Sequence, residues 1–115
     1  MQVTRVVRDD VVVFELEGSL DARTAPAVQA QLLPGAEGHD RIVLDLSRTE
    51  YVSSGGIRML LLVYRQIKGR GGRIVLAGLS EPITDVLTNT GLIGFFTTVR
   101  TAQDGLDVLR TTSAS

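Results

Sequence analysis

The chain has 115 residues, of which 43% are hydrophobic and 22% charged, and its formal net charge is −1. This length and balance predict one globular domain with a single core. The absence of cysteine excludes a disulfide framework, a thiolate zinc site and cysteine catalysis, and the near-neutral charge gives no reason to expect binding to nucleic acid.

The first third of the chain predicts a hairpin followed by a helix. Residues 3–7 and 11–17 are rich in β-branched side chains and flank a short polar turn, which is typical of two antiparallel strands. Gly18 is expected to end the second strand. Thr24 is then placed to cap a helix with an apolar stripe, which ends at Pro34 and Gly35.

The remaining sequence alternates strands with helices. Residues 42–46 and 74–77 are nearly continuous apolar runs, as expected of strands covered on both faces. Between them, apolar residues recur at helical spacing and predict a long helix: Ile57, Leu60, Leu61, Tyr64 and Ile67. A helix capped by Ser80 or Glu81, a strand at residues 95–99 and a final helix opened by Thr101 complete the order β-β-α-β-α-β-α-β-α.

This order predicts a single α/β domain over residues 1–111 and a frayed tail at residues 112–115. Strands that alternate with helices form a mostly parallel sheet, here of four to five strands, with the first hairpin as its antiparallel part and about four helices around it. The longest apolar run, residues 59–63, is far shorter than the about 20 residues that cross a bilayer. The first ten residues lack the apolar block of a signal peptide, so we expect a cytoplasmic protein without membrane insertion.

The candidate functional segment is residues 51–57, whose sequence is Tyr-Val-Ser-Ser-Gly-Gly-Ile. It follows a buried strand and opens the long helix, where functional groups of parallel sheets gather. The free N–H groups and dipole of a first helical turn stabilise an anion by about 0.3–1 kcal/mol. A phosphoryl group on Ser54 would therefore be tolerated, and Arg58 stands four residues further on, where it could pair with it. On residue types alone, the favoured interpretation is an N-cap at Ser53 or Ser54 and close packing at the two glycines.

Catalysis by these serines is not expected. A serine hydrolase needs a base, and the only histidine, His39, precedes the strand at residues 42–46, whereas Ser54 follows it. At the rise of a strand, the two side chains lie roughly 15 Å or more apart. His39 also has no partner ligand at the spacing of a metal site. We therefore expect no enzyme, no metal and no cofactor.

Asp21 stands between the second strand and the first helix, so we expect it to share a sheet edge with residues 53–56. Its carboxylate fits an Asx turn or a helix cap. It fits equally a charge that shapes a recognition surface, and the residue types leave both interpretations open.

Three stretches resemble the STAS domain: residues 17–21 (Glu-Gly-Ser-Leu-Asp), 42–47 (Ile-Val-Leu-Asp-Leu-Ser) and 51–57. This is the domain of bacterial anti-sigma factor antagonists and of the cytoplasmic ends of sulfate transporters. The likeness runs along nearly the whole chain, including residues 86–96 and the closing helix.

The resemblance implies an anti-sigma factor antagonist, which binds a serine-kinase type of anti-sigma factor and so releases a sigma factor. In that family the kinase phosphorylates a serine that opens the helix after the third strand, and a phosphatase reverses this. A gapless fit places Ser54 on the acceptor serine. The contact residues that it implies are Asp21, Ser53, Ser54, Gly55, Gly56 and Arg58.

Two positions depart from the family pattern, since Ser53 stands where the family has Asp and Gly55 where it has Ser or Thr. These departures fit an alternative, a STAS subunit that is not phosphorylated and is bound to a membrane transporter or a larger signalling scaffold. In either case we expect a monomer or a weak homodimer, since the exposed edge of the hairpin could pair with a second copy.

Overall fold

Six strands and four helices alternate along residues 1–113, the part of the chain that the computed structural model describes. In chain order they are β1 (Gln2–Arg8), β2 (Val11–Leu20), α1 (Ala25–Gly35), β3 (Arg41–Asp45), β4 (Thr49–Val52), α2 (Ser54–Gly69), β5 (Arg73–Ala77), α3 (Glu81–Asn89), β6 (Thr97–Val99) and α4 (Ala102–Ser113).

The strands form one sheet in the order β1-β2-β3-β5-β6, and β4 pairs with β2 outside this path. Only β1 and β2 are antiparallel to each other, and all other described pairs are parallel. The predicted fold class is therefore confirmed: a single α/β domain, with a mostly parallel sheet, an N-terminal antiparallel hairpin and four helices.

The alternation of side chains along the central strands divides the core into two unequal layers. Phe14, Leu44 and Leu76 are aligned neighbours on β2, β3 and β5, and they belong to the larger layer, which α1, α2 and α3 cover. The valines one residue before them point to the opposite face, where they meet Leu106 and Leu109 of α4. Three helices thus cover one face of the sheet, and α4 covers the other.

The strand β4 is one more than the sequence pattern predicts. Its sequence, Thr-Glu-Tyr-Val, is half polar, and Glu50 and Tyr51 are exposed, so it lacks the apolar run of a buried strand. Tertiary contacts hold it instead. Thr49 is buried and its hydroxyl donates to the carbonyl oxygen of Leu16 at 2.7 Å, which fastens β4 to β2.

Two predicted strand limits are wrong. Gly18 does not end β2, because the strand continues to Leu20 through a bulge at Gly18, where φ is +116°. A glycine adopts this conformation without strain, and the extension gives β4 its partner. At the other end of the chain, the predicted strand at residues 95–99 begins only at Thr97, since Ile93–Phe95 form a 3₁₀ turn.

The final helix continues to Ser113, so the first two residues of the predicted frayed tail are the end of α4. The last two, residues 114–115, lie outside the described residues. No helix within residues 1–113 is long and apolar enough to cross a lipid bilayer.

Candidate functional site

The two serines at the start of α2 have different roles. Ser53 is the N-cap: its hydroxyl oxygen accepts from the backbone N–H of Gly56 at 3.3 Å, and its own N–H donates to the carbonyl oxygen of Leu20 at 2.9 Å. Ser54 is the first helical residue, and it is exposed. No residue within the described part of the chain hydrogen-bonds to the Ser54 hydroxyl. The cap is therefore assigned to Ser53, and the Ser54 hydroxyl is free for chemistry.

This division predicts unequal effects of removing each hydroxyl. The Ser53→Ala variant should lower the free energy of unfolding by about 1 kcal/mol, the ordinary cost of a lost N-cap. The Ser54→Ala variant should stay within about 0.5 kcal/mol of the parent, as surface substitutions do. Urea unfolding followed by circular dichroism measures both. Ser80 caps α3 in the same way, through the N–H of Ile83 at 3.3 Å, so Ser80→Ala is the matched control. A larger loss for Ser54→Ala than for Ser53→Ala would contradict the assignment.

The two glycines after the serines let α2 approach β2 and the turn that follows it. A Cβ on Gly56 would lie inside contact distance of the Leu20 carbonyl oxygen, and a Cβ on Gly55 would lie 2.9 Å from the Cβ of Ala22. The start of α2 therefore lies directly against residues 20–22. This contact brings Asp21 to the same sheet edge as Ser54, as the sequence predicts.

Asp21 organises the turn between β2 and α1. One of its carboxylate oxygens accepts from the backbone N–H of Arg23 at 2.9 Å and of Thr24 at 3.1 Å, which is an Asx turn. Thr24 occupies the N-cap position of α1, but its hydroxyl does not cap the helix. It donates to the carbonyl oxygen of Ser19 at 2.9 Å and accepts from the N–H of Asp21 at 3.0 Å. The loop beside Ser54 is therefore held in one shape by its own hydrogen bonds.

These hydrogen bonds favour the ionised form of Asp21. The backbone N–H groups of Thr24 and Arg23 hold the pKa of the Asp21 carboxyl below its ordinary value of 3.8, and the charge of Arg23 acts in the same direction. Because the pKa is lowered in the folded state, this contribution to stability is present above pH 3.8 and is lost as the pH falls through the folded-state pKa.

The matching test compares the parent with Asp21→Asn, which keeps an oxygen acceptor and removes the charge. The parent should be more stable at neutral pH, and the difference in free energy of unfolding should shrink as the pH falls below 3.8. A pH series of urea unfolding curves measures this difference, and an NMR titration of the Asp21 carboxyl gives its midpoint directly. A midpoint above 3.8 would contradict the hydrogen-bond assignment.

The surface around Ser54 combines charge with exposed apolar area. Arg58 is exposed on α2, one helical turn beyond Ser54, and Tyr51 is 56% exposed at the end of β4. Asp21 is half-buried, and no acidic residue stands in the first turn of α2. Gly56, predicted as a contact residue, is buried against β2, so it is not exposed on this surface.

The one histidine of the chain does not lie beside Ser54. His39 lies in the loop before β3, where its carbonyl oxygen accepts from Arg70 at 3.0 Å. β3 and β4 follow each other along β2 in the same direction, so His39 and Ser54 lie at opposite ends of these strands. Among the described residues no cluster of three His, Cys, Asp or Glu side chains could hold a metal ion.

Sequence reasoning missed the apolar surface between α1 and α2. Leu62 is 38% exposed on α2, although most apolar residues of this helix are buried. The available signal was the composition of α1, whose eleven residues include no charged side chain. A surface helix ordinarily has a polar outer face with charged residues, so the lack of charge on α1 sets this surface apart.

Comparison with known proteins gives consistent matches over nearly the whole chain. The sequence model of the STAS domain matches residues 2–105. The Bordetella bronchiseptica protein BtrV, named as an anti-sigma factor antagonist, is 32% identical over 97 residues, which are 84% of each chain. A serine-to-glutamate variant of Moorella thermoacetica RsbS has a TM-score of 0.87 and 27% identity, with all of both chains covered. A Thermotoga maritima protein described as an anti-sigma factor antagonist has a TM-score of 0.88 and 22% identity over 94% of each chain.

Proposed function

The chain belongs to the STAS domain family, and from this membership we propose that it is an anti-sigma factor antagonist whose binding is switched off by phosphorylation of Ser54. The partner is an anti-sigma factor of the serine-kinase type, and its capture by this chain releases a sigma factor. A phosphatase restores the binding form.

The observation that supports this proposal most strongly is that the two serines at the start of α2 have different roles. Ser53 caps α2, so Ser54 can be modified without loss of the cap. Ser54 is exposed at the first helical position, where a kinase can reach it. The positive end of the α2 dipole stabilises an added phosphate by about 0.3–1 kcal/mol, so the modification is compatible with the folded state.

The modification acts through charge. A phosphoryl group adds about −1.5 to −2 charges to a surface where the first turn of α2 has none. If a partner covers that surface, the phosphate must lose water without gaining a matched partner, which costs several kcal/mol. A cost of about 4 kcal/mol weakens binding roughly a thousandfold. The turn around Asp21 is held by its own hydrogen bonds. The phosphate can therefore weaken binding without a large rearrangement of the protein.

The contact surface follows from the same geometry. Ser54 and Arg58 are exposed on one side of α2, and Gly55 rests on the turn that contains Asp21. We assign these four residues to the partner interface. Ser53 is half-buried beside them, where it shapes the surface through its cap.

Two departures from the family pattern are compatible with the structure at the start of α2. Ser53 replaces the usual acid, yet it still accepts the hydrogen bond from the N–H of Gly56 that a cap requires. Gly55 replaces the usual hydroxyl residue, and its closeness to Ala22 leaves no space for a larger side chain. The packing at this site therefore accounts for Gly55 in this chain.

The test is an affinity capture from a lysate of the source organism, with the parent and Ser54→Glu as paired baits. The parent alone should retain an ATPase-type anti-sigma factor. Incubation of the recovered pair with ATP, followed by peptide mass spectrometry, should place one phosphate on residue 54. The Ser54→Ala variant should remain unlabelled, and Ser53→Ala should still accept the phosphate.

Two results would overturn the proposal. If both baits capture the same anti-sigma factor equally, Ser54 does not control binding. If the parent captures a permease or a scaffold protein and no anti-sigma factor, the chain is the alternative STAS subunit, bound without phosphorylation.

A further inference from the structure

A groove formed by three adjoining depressions follows the surface of α1 and α2. Near Ser54 it is a depression of about 260 Å³ lined by residues that include Pro26, Gly55 and Leu62. At the far end of the two helices it is a depression of about 370 Å³ that includes Leu33 and Ile67. A third depression, along α1, shares residues with both of the others. We call the whole surface the α1–α2 groove. With α2 sixteen residues long, it extends for about 24 Å.

The walls of the groove are apolar where a surface helix is ordinarily charged. On the α1 side, Pro26, Ala30 and Pro34 are exposed, and the helix has no charged residue. On the α2 side, Leu62 is 38% exposed. Apolar area of this kind favours contact with an apolar stripe on a partner.

The rim of the groove is cationic. The helix α2 and its C-cap contain four basic side chains, Arg58, Arg65, Lys68 and Arg70, and no acidic one, although the whole chain has a net charge of −1. Arg58 and Arg65 are exposed on either side of Leu62 along α2, and neither takes part in a salt bridge within the described residues. Arg70 donates to the carbonyl oxygens of Ala36 and His39. Glu37 is the single acid among the residues that line the far end.

We propose that the α1–α2 groove binds an acidic amphipathic helix of a partner protein. The apolar side of that helix lies on Leu62 and the uncharged face of α1. Its acidic side chains pair with Arg58 and Arg65 on the rim. A helix has the right shape, since the groove is about 24 Å long and follows two helices, and helix-in-groove docking depends on apolar residues at helical spacing. Charge complementarity selects an acidic helix over a basic one.

This inference deepens the proposed function, and it rests on that function where it identifies the helix as part of the anti-sigma factor. Gly55 and Arg58 line the end of the groove beside Ser54. A phosphate on Ser54 would add negative charge at this end of the groove and repel the acidic helix. The switch and the groove would then act on one partner.

The experiment titrates the full, unphosphorylated chain with a synthetic helix of about 15 residues, long enough to form a helix on binding. The peptide has leucine on one face and glutamate on the other positions, and a second peptide has lysine in place of every glutamate. Fluorescence anisotropy gives the affinities, and backbone amide chemical shifts locate the site. We expect the glutamate peptide to bind at least about tenfold more tightly, with shifts along α1 and α2.

The variants distinguish binding in the groove from nonspecific binding elsewhere on the protein. Leu62→Glu, and the pair Arg58→Glu with Arg65→Glu, should each weaken the glutamate peptide at least about tenfold. Val7→Glu is the matched control, since Val7 is similarly exposed, at 43%, but lies on β1, and it should leave the affinity unchanged. Circular dichroism establishes that each variant is folded before its affinity is compared.

Three outcomes would overturn the inference: no saturable binding of the glutamate peptide, equal affinity for the lysine peptide, or shifts outside α1 and α2. Binding to phosphatidylglycerol vesicles, lost in the arginine pair variant while the peptide fails to bind, would show that the cationic rim serves an anionic membrane instead. The titration needs no anti-sigma factor and no phosphate. Peptide binding alongside unchanged anti-sigma binding in Ser54→Glu would therefore contradict the proposed switch and leave the groove assignment intact.

Discussion

Replacing Gly56 by alanine is expected to lower the free energy of unfolding by about 3 kcal/mol or more, the upper range for overpacking a well-filled core. The added Cβ would meet the Leu20 carbonyl oxygen, which is backbone and accepts the N–H of Ser53. The carbonyl oxygen of Leu20 and the N–H of Ser53 both belong to the backbone, so neither can rotate away as a flexible side chain would. The start of α2 must then move away from β2, which opens the site at Ser54. Urea unfolding measures the loss, against the roughly 5–15 kcal/mol typical of a domain.

Gly69, at the other end of the same helix, is the matched control. A Cβ there would meet nothing within 4 Å, so Gly69→Ala should be neutral or more stable by about 0.5–1 kcal/mol, the helix propensity of alanine over glycine. If Gly56→Ala were as stable as the parent, the close approach between α2 and β2 would be disproved. Close packing would then no longer explain why glycine stands at residues 55 and 56.

The second large effect is expected at Ser54, in the affinity for the anti-sigma factor. The Ser54→Glu variant should bind roughly a thousandfold more weakly, since an unpaired carboxylate in the interface costs about 4 kcal/mol. The fold should survive, because Ser53 still caps α2 and an acid at the first helical position is favoured by the dipole. Isothermal titration calorimetry with the captured anti-sigma factor measures the change.

Ser54→Gln separates charge from size, since glutamine has the shape of glutamate without its charge. We expect Ser54→Gln to lose at most about tenfold and Ser54→Ala at most about threefold in affinity. A loss for Ser54→Gln as large as that for Ser54→Glu would show that the site excludes bulk, and phosphorylation would then act by size and not by charge.

The helices and most strands follow from local patterns in the sequence. The apolar spacing from Ile57 to Ile67 predicts α2, and the runs at residues 42–46 and 74–77 predict β3 and β5. Each signal lies within one element, because helical and extended periodicities are set by the backbone over a few residues. The hairpin and the parallel order of the other strands then follow from the alternation of elements.

The sequence could not predict β4 or the full length of β2, because β4 and the last residues of β2 form strands only by pairing with each other. Residues 49–52 form a strand only where Gly18 lets β2 bend and continue to Leu20, and the buried bond from Thr49 to Leu16 joins them. Such pairing joins residues more than thirty positions apart, which no local periodicity records.

The candidate site divides in the same way. The sequence by itself determined that two serines and two glycines stand at the start of a helix, and the family pattern selected Ser54. Only the tertiary structure decided which serine is the cap, through the hydrogen bond from Gly56 to Ser53. It also decided the role of the two glycines, which allow close packing, since the Leu20 carbonyl and Ala22 approach them from a different part of the chain. Residue types define what a side chain can do, and the close approach of distant segments determines which of those roles it has.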